Sequence, residues 1–402
     1  MSLLPAPSEW SPLEEQFHTW DIVLLNPPLA GSTQPQTKVL SLWSGIQITE
    51  THEGIRTQID INAEEPAIPF IRELVTDFLY YRDQQLLYRL RVVDSEDVLT
   101  RDSATVKFDC VSYDKLLERR ILHEDWLLDD GDINAAWRLI DYTQRKQSFG
   151  ITRGTTNPGS RRQRALDAGD DILAAINDFA QADGGFDWWI DADLKFWAAK
   201  PRRGKTHTTQ WQLGGEVGEM SRVNPIEDYA SLIMATGANS EVRIPRADGE
   251  EDVYPPPDPQ VVQLISKPLG LWEMTTSDTD VITTASLMEK ALWHLGDKGN
   301  VRPSYKLMLE PGVWQPDFGV GDIVMLRIDT VRANVKVPIR IEELSIVCTS
   351  DGAETVSMSV RAEQPETPIS AIGGQELVPV PQLLAGSDAP AANGRTVQRH
   401  RL

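Results

Sequence analysis

Leu86-Leu87-Tyr88-Arg89-Leu90-Arg91-Val92-Val93 alternates between two kinds of side chain. Tyr88, Leu90 and Val92 fall on one side of an extended chain, and Arg89, Arg91 and Val93 on the other. Period two means one buried face and one wetter face. The run is the second arm, Leu86 to Leu99, of a pair whose first arm is Leu74 to Arg82 and whose turn is Asp83-Gln84-Gln85. A third strand follows, with Val106, Phe108 and Cys110 facing one way and Lys107 and Asp109 the other. Three such strands make an antiparallel meander long enough to curl into a barrel or a sandwich.

On the N-terminal side, residues 1–19 are Pro-rich and polar and are expected to form an arm. Trp20 to Leu25 is a strand closed by Asn26-Pro27-Pro28, with further strands at Lys38 to Trp43 and Thr57 to Ile61. On the C-terminal side the period changes. Asp132 is placed to cap a helix with the stripe Ile133, Ala136, Trp137, Ile140. A second helix starts at Asp170, carries Ile172, Leu173, Ile176, Phe179 and Ala180, and ends at Gly184-Gly185. Between them lies the polar loop Arg153 to Arg164. A hairpin, Phe186 to Ile190 and Leu194 to Ala198 around Asp191-Ala192-Asp193, closes the block. From Asn224 strands return, with one at Ser231 to Thr236. Arg246 to Pro259 reads as an acidic, Pro-rich loop, and Thr283 to Leu295 as a helix ended by Gly296. Four strands complete the pattern: Tyr305 to Leu309, Ile323 to Ile328, Val335 to Val347 and Thr355 to Val360. In the third, Val335, Val337, Ile339 and Ile341 alternate with Lys336, Pro338, Arg340 and Glu342, which predicts a wet face for the second set. The fold class is therefore α+β and mainly β. The expected domains are 20–122 (β), 123–223 (helical, with a hairpin) and 224–363 (β, with one helix), with 364–402 as an extended tail.

The chain has 402 residues and a formal charge of −21. An acidic body of this size repels nucleic acid, so sequence-reading DNA or RNA binding is excluded as its business. The same charge suits a surface along which DNA slides. Cys110 and Cys348, the two cysteines, sit in apolar alternating segments and read as buried thiols rather than a disulfide or metal pair. Met1 to Pro12 lacks the basic start and apolar run of a signal peptide, and no 18-residue apolar run offers a membrane span. Synthesis and residence in a reducing cytosol are expected, unless the protein leaves by another route.

Motifs for chemistry are sparse. Ala199-Lys200-Pro201-Arg202-Arg203-Gly204-Lys205-Thr206 approximates a phosphate-binding loop, but Ala199 replaces the first glycine, Pro201 removes a donor, and His207-Thr208-Thr209-Gln210-Trp211 does not continue as a helix. His123-Glu124 lacks a second histidine, and the six histidines show no ligand spacing. Asp129-Asp130-Gly131-Asp132 lacks the alternating ligands of a calcium loop and reads as a turn with a cap. No G-x-S-x-G elbow occurs. No cofactor, metal or catalytic residue is expected. Trp188, Trp189 and Trp197 near Asp187, Asp191 and Asp193 invite a sugar-binding or sugar-cleaving reading. Against it, adjacent strand tryptophans divide between core and interface, and Asp191 and Asp193 are turn residues. The basic clusters Arg161, Arg162, Arg164 and Lys200 to Lys205, with Arg202 and Arg203, are solvated loops or contacts to acidic neighbours in a ring.

A family resemblance rests on Val106 to Arg120, a strand running into "D-x-L-L-x-R-R". It resembles the end of the first tube domain in hub-type minor tail proteins of long-tailed phages infecting actinobacteria. Similar pieces follow in order: "AAW-x-L-I" at Ala135 to Ile140, "G-I-T-R-G" at Gly150 to Gly154, "WWID" at Trp188 to Asp191, "P-R-R-G" at Pro201 to Gly204 and "G-V-G-D-I-V" at Gly319 to Val324. The resemblance spans roughly residues 20–363 and implies two tube-like antiparallel β-barrel or sandwich domains bracketing the helical one. It also implies a homotrimer whose three pairs of tube-like domains make a pseudo-sixfold ring, adapting a hexameric tail tube to a threefold tip. Implied partners are the distal tail ring protein, the tail tube, other minor tail proteins and tip fibres, with the tape measure protein a further candidate; DNA is met only in transit. The implied location is the virion tail tip, assembled in the host cytoplasm. There is no room for the peptidase or lysozyme domain of longer relatives. Asp248, Glu250, Glu251 and Asp252 are candidate channel-lining residues. Arg161, Arg162, Arg164, Arg202, Arg203, Arg395 and Arg399 are candidate intersubunit contacts, the last two on a tail expected to dock on a neighbour. The alternative is a carbohydrate-binding or glycan-cleaving adhesin of the tail tip.

Overall fold

A computed structural model describes residues 18–28, 34–101, 104–181, 185–200, 202–223, 227, 229–245, 251–265, 267, 269–277, 281, 283–299, 302–329, 334–363 and 377–379. They fall into two units, one drawn from Met1–Pro225 and Arg302–Glu366, the other from Ile226–Val301 and Thr367–Leu402. The stretch 224–363, expected as one β domain, is thus divided between them.

The first unit opens with β1 (Trp20–Asn26), β2 (Gln36–Val39), β3 (Trp43–Thr51), β4 (Gly54–Asn62), β5 (Asp77–Arg82), β6 (Gln85–Leu99) and β7 (Ala104–Val111). The run expected as one strand, Lys38 to Trp43, breaks at Leu40 to Leu42. There the Ser41 and Leu42 amides turn to the Glu65 carboxylate, at 3.0 and 2.7 Å, instead of to a ladder. At the β5–β6 turn Asp83 and Gln84 both take positive φ, 49° and 67°, the twist that a two-residue hairpin needs. The meander is antiparallel as the alternation predicts: Tyr80 faces Tyr88 and Phe78 faces Leu90, all buried.

The helical block holds β8 (Trp126–Gly131), α1 (Asp132–Lys146), β9 (Thr152–Arg153), β10 (Arg161–Leu166), α2 (Ile172–Gln181), β11 (Asp187–Ile190) and β12 (Lys195–Ala199). Ile133, Ala136 and Ile140 of α1 and Ile172, Ile176 and Phe179 of α2 share one buried core with Phe186, Ile190 and Phe196. Asp132 is the first helical residue and not the cap, which is Gly131. Its carboxylate still accepts the Ile133 and Ser160 amides, both at 2.9 Å.

Six strands return to the first unit: β13 (Thr206–Gln212) and β14 (Val217–Val223), then, after the second unit, β20 (Ser304–Leu309), β21 (Ile323–Asp329), β22 (Asn334–Thr349) and β23 (Glu354–Ala362). They do not form a separate domain. The order β14-β20-β23-β22-β3-β4-β7-β6-β5-β1-β2, with β21 and β13 beyond β22, is one sheet of thirteen strands. Its junction is β22 on β3, antiparallel from Glu343↔Thr51 to Thr349↔Gly45. One apolar core runs across it, with Ile46, Ile59 and Phe108 on one side and Leu344, Ile346 and Met358 on the other. Cys110 and Cys348 are buried in it as free thiols, and burial pushes the Cys348 thiol up to about 12.

The second unit contains β15 (Leu232–Thr236), β16 (Val242–Pro245), β17 (Glu251–Tyr254), β18 (Gln260–Leu264), β19 (Glu273–Ser277), α3 (Thr284–Lys298) and β24 (Leu377–Pro379). The sheet β19-β15-β18-β24 packs Ile233, Ala235, Val262 and Leu264 on Leu287, Ala291 and Leu295 of α3. Three expectations change here. The acidic loop contains β17, which pairs with β16. Helix α3 runs through Gly296, because Gly299 supplies the cap. The tail contributes β24, which pairs antiparallel with β18; its other residues, 364–376 and 380–402, lie outside the described ones, as do residues 1–17 of the N-terminal arm.

Two outcomes follow. Val223 pairs with Ser304, so both ends of the 224–303 segment leave from adjoining positions of one ladder. Replacing 224–303 by a two-residue Asn-Gly turn and ending the chain at 366 leaves the first unit folded, with cooperative thermal unfolding by circular dichroism. Glu65 is 3% exposed and accepts three backbone N–H groups and the Ser41 hydroxyl. Burial pushes its carboxyl up, but the four hydrogen bonds together hold it below its ordinary 4.5. The carboxylate therefore stabilises the fold above that value, and the contribution is lost as pH falls through the lowered folded value. Glu65→Ala costs about 2–4 kcal/mol in urea unfolding at pH 7, and less at pH 3.

Candidate functional site

A cavity of about 200 Å³ lies in the first unit between the β11–β12 hairpin, strands β3 and β6, and the turn before β21. Glu50, Tyr88, Asp114, Trp189, Arg203 and Trp314 are among its walls. Glu50 is the next-to-last residue of β3 and is 5% exposed. Its Oε1 accepts from Nη2 of Arg203 at 2.7 Å. The guanidinium of Arg203 lies 4.8 Å from the centre of the Trp189 ring. The Arg203 amide donates to Oδ2 of Asp187 at 2.7 Å, and Arg340 of β22 donates to the same oxygen at 2.6 Å. Glu50–Arg203 and Asp187–Arg340 are thus two ion pairs, linked by the Arg203 backbone amide, that join sheet and hairpin. Burial and then the Glu50 charge push the Tyr88 phenol well up.

Asp114 is 5% exposed, and burial raises its carboxyl. Gly54 sits against it with φ +124°, and an added Cβ would come within 2.5 Å of Oδ2, so only glycine fits. Trp314 is buried, donates to the Phe318 carbonyl at 3.0 Å, and takes the Arg82 guanidinium on its face at 4.8 Å. Arg82 in turn makes a two-pronged pair with Glu354, at 2.9 and 3.1 Å.

The hairpin's aromatic and acidic groups are all committed within the chain. Trp188 is in the core and donates to Asn177; Trp189 lies under Arg203; the Trp197 indole donates to Asp191 at 2.6 Å. Asp187 holds the Arg340 guanidinium and the Arg203 amide, Asp191 holds the turn amides of Asp193 and Lys195, and Asp193 meets Lys195 at 3.3 Å. A sugar stacked on the Trp189 face that Arg203 occupies would displace Arg203 and leave Glu50 buried without a cation.

The basic residues separate into two groups. Arg161 is exposed on β10 and makes a two-pronged pair with Asp129 across the ladder, both at 2.8 Å. Arg202 lies on the surface, 3.7 Å from Glu363. Arg162 and Arg164 are on β10 opposite Asp130 and Leu128, their side chains outside the description. Arg203 is built into the cavity. Lys200 reaches Ser160 and Asp132, and the Lys205 amide donates to Asp322, so 200–205 ties the hairpin to the sheet. Strand β13 follows it, where a phosphate loop needs a helix. Glu251 and Asp252 are on β17, side chains outside the description; Asp248, Glu250, Arg395 and Arg399 lie outside the described residues. Sequence alternation put Arg340 on a wet face, yet it is 4% exposed, because the hairpin covers that part of β22. Glu50 and Arg82 gave no signal beyond their places on strands.

No family model and no curated protein matches the sequence. Solved structures are similar to it in fold. The tail protein from Neisseria meningitidis MC58 is 10% identical, with 87% of this chain and 98% of that one covered at a TM-score of 0.55. The 43 kDa tail protein of prophage MuSo2 from Shewanella oneidensis is 11% identical, with 85% and 98% covered at 0.55. Prophage tail protein gp18 from Listeria monocytogenes EGD-e is 10% identical, with 91% and 100% covered at 0.54. The chain has the fold of these phage tail proteins over most of its length.

The Glu50–Arg203 pair can be tested by substitution. Arg203→Ala strands a buried Glu50 and costs about 3 kcal/mol or more in urea unfolding, whereas Arg203→Met with Glu50→Gln costs less than Arg203→Ala alone. Equal costs for the single and the double variant would show that packing on Trp189, not charge, is what Arg203 supplies.

Proposed function

We propose that the chain is a structural component of a phage tail, a hub-type protein of the tip. Three copies form a ring that joins the tail tube to the tip and passes DNA. The observation that carries this reading is the β3–β22 junction. It unites two β-rich halves of one chain side by side in a single sheet, so three copies offer six comparable halves to a hexameric tube. The likeness in fold to phage tail proteins over 85–91% of the chain supports the setting. The charge of −21 supports a DNA path without sticky contacts.

In this reading the partners are other tail proteins: the distal tail ring protein, tube, tip fibres and tape measure protein. The location is the virion tail tip. Arg161 and Arg202, both exposed, are the stronger of the proposed intersubunit contacts; Arg162, Arg164, Arg395 and Arg399 are kept with them, Arg203 is set aside because it pairs with Glu50 of its own chain, and Asp248, Glu250, Glu251 and Asp252 are proposed to face the channel. The adhesin reading has less support, because the hairpin's tryptophans and aspartates are already engaged.

Electron cryomicroscopy of intact tails, with this chain tagged, tests the proposal. Three copies around the tail axis at the tip are expected, with an acidic lumen. A twofold arrangement, a position along the tube, or a basic lumen would each refute it.

A further inference from the structure

Strand β6 runs on past the end of its neighbour β5. The ladder between them stops at Asp77↔Arg91. One more turn of backbone follows, in which the Leu74 amide donates to the Val92 carbonyl at 2.8 Å and the Val92 amide to the Thr76 carbonyl at 3.1 Å. From Asp94 to Leu99 the strand is held on one side only, by β7, from Asp94↔Asp109 to Leu99↔Ala104. Among the described residues no other segment's backbone bonds to the free side. A free side of this kind is a row of N–H and C=O groups that an extended segment can join as a further strand.

The edge is also short of cations. Asp94, Glu96 and Asp97 are exposed, and among the described residues none of them has an ion pair. Asp94 lies directly opposite Asp109, and the Glu73 carboxylate accepts the Ser95 hydroxyl at 2.6 Å. Lys107, opposite Glu96, is the one cation of β7. A single charge is enough to guard an edge against strangers. Two aspartates facing each other across a ladder cost stability until a cation joins them.

The chain carries a segment of matching pattern, outside the described residues. Residues 389–402 contain no Asp or Glu. In an extended chain Arg395, Val397, Arg399 and Arg401 fall on one face, and Thr396, Gln398 and His400 on the other. Laid antiparallel along β6 with Arg401 opposite Asp94, the segment brings Arg399 opposite Glu96 and Val397 opposite Val98. The other basic clusters are already occupied, since β10 pairs with β8 and 200–205 ties the hairpin to the sheet.

We infer that the free edge of β6, Asp94 to Leu99, accepts residues 396–401 of a second copy as an added antiparallel strand. That the donor is a second copy rests on the ring reading above; the open edge and its charge do not.

Two measurements test this. In the first, full chains carrying Arg399→Cys and full chains carrying Glu96→Cys are assembled together and oxidised. A disulfide between the two kinds of chain is expected, and none when Glu53→Cys, at a side chain 79% exposed, replaces Glu96→Cys. In the second, a labelled peptide of residues 393–402 is titrated into the full chain carrying Arg399→Glu with Arg401→Glu, whose own tail no longer competes. Binding is expected. Adding Asp94→Lys with Glu96→Lys weakens it roughly tenfold, at unchanged circular dichroism and Tm. A peptide carrying Arg399→Glu with Arg401→Glu then binds that lysine variant. No binding, binding indifferent to the charge reversal, or a swapped pair that does not restore it overturns the inference. So does a disulfide that forms only within one chain. A chain that gives both expected results yet assembles other than threefold refutes the ring and leaves the edge pairing standing.

Discussion

The pairing of β22 with β3 is the constraint from which the rest of the first unit follows. Ile46 sits opposite Cys348 and Ile48 opposite Ile346, all four buried. A slip of one residue would turn these side chains outward and empty the middle of a shared core, so the register is strongly fixed. Once the strands are joined, the segments inserted between the sheet's own strands from Thr51 to Asn334 must leave it and come back to it. The helical block leaves after β7 and returns at β13, while the second unit leaves after β14 and returns at β20. Elements that look like successive domains along the chain are excursions from one sheet.

Two sets of buried charges hold the helical block against that sheet. In one, Asp77 of β5 meets Arg89 and Arg91 of β6 and accepts the Tyr113 hydroxyl, whose ring packs edge-on against Phe149. In the other, the Arg203 guanidinium pairs with Glu50 while its backbone amide and the Arg340 guanidinium both donate to Asp187. Buried ion pairs of this kind add little net stability over an apolar replacement, but a missing partner is costly. Their effect is directional, since an apolar face can slide while a hydrogen-bonded ion pair holds one geometry.

The alternation in Leu86 to Val93 and in Val106 to Cys110 identified the meander, and the stripes of α1 and α2 identified the helices, because each is a local pattern with a period. What escaped was non-local. Nothing in Val335 to Val347 says that its partner is β3, and without that partner the two β-rich parts read as separate domains. Arg340 was assigned to solvent because alternation reports which side a residue faces, not whether the hairpin covers that side. The acidic run hid β17, since its carboxylates outweigh the short apolar stretch that pairs with Val242 to Pro245. Gly296 looked like a helix end because glycine is poor inside helices, yet packing of Leu287, Ala291 and Leu295 on the sheet carries α3 through it. At the cavity, Trp188 and Trp189 were legible as one core and one boundary residue, and Asp191 as a turn residue. The occupation of Trp189 by Arg203 depended on tertiary approach and could not be read.

The same junction sets a problem of timing during synthesis. The roughly 280 residues from Thr51 to Asn334 take about 15–60 s to translate at about 5–20 residues per second. Through that interval β3 has β4 on one side and an open backbone edge on the other. The strand carries its own protection, because Gln47, Thr49 and Thr51 alternate with Ile46, Ile48 and Glu50, and a carboxylate near a bare edge discourages pairing with a stranger. Glu50 therefore guards the nascent chain before Arg203 and β22 exist, and becomes a fixed partner only after they arrive.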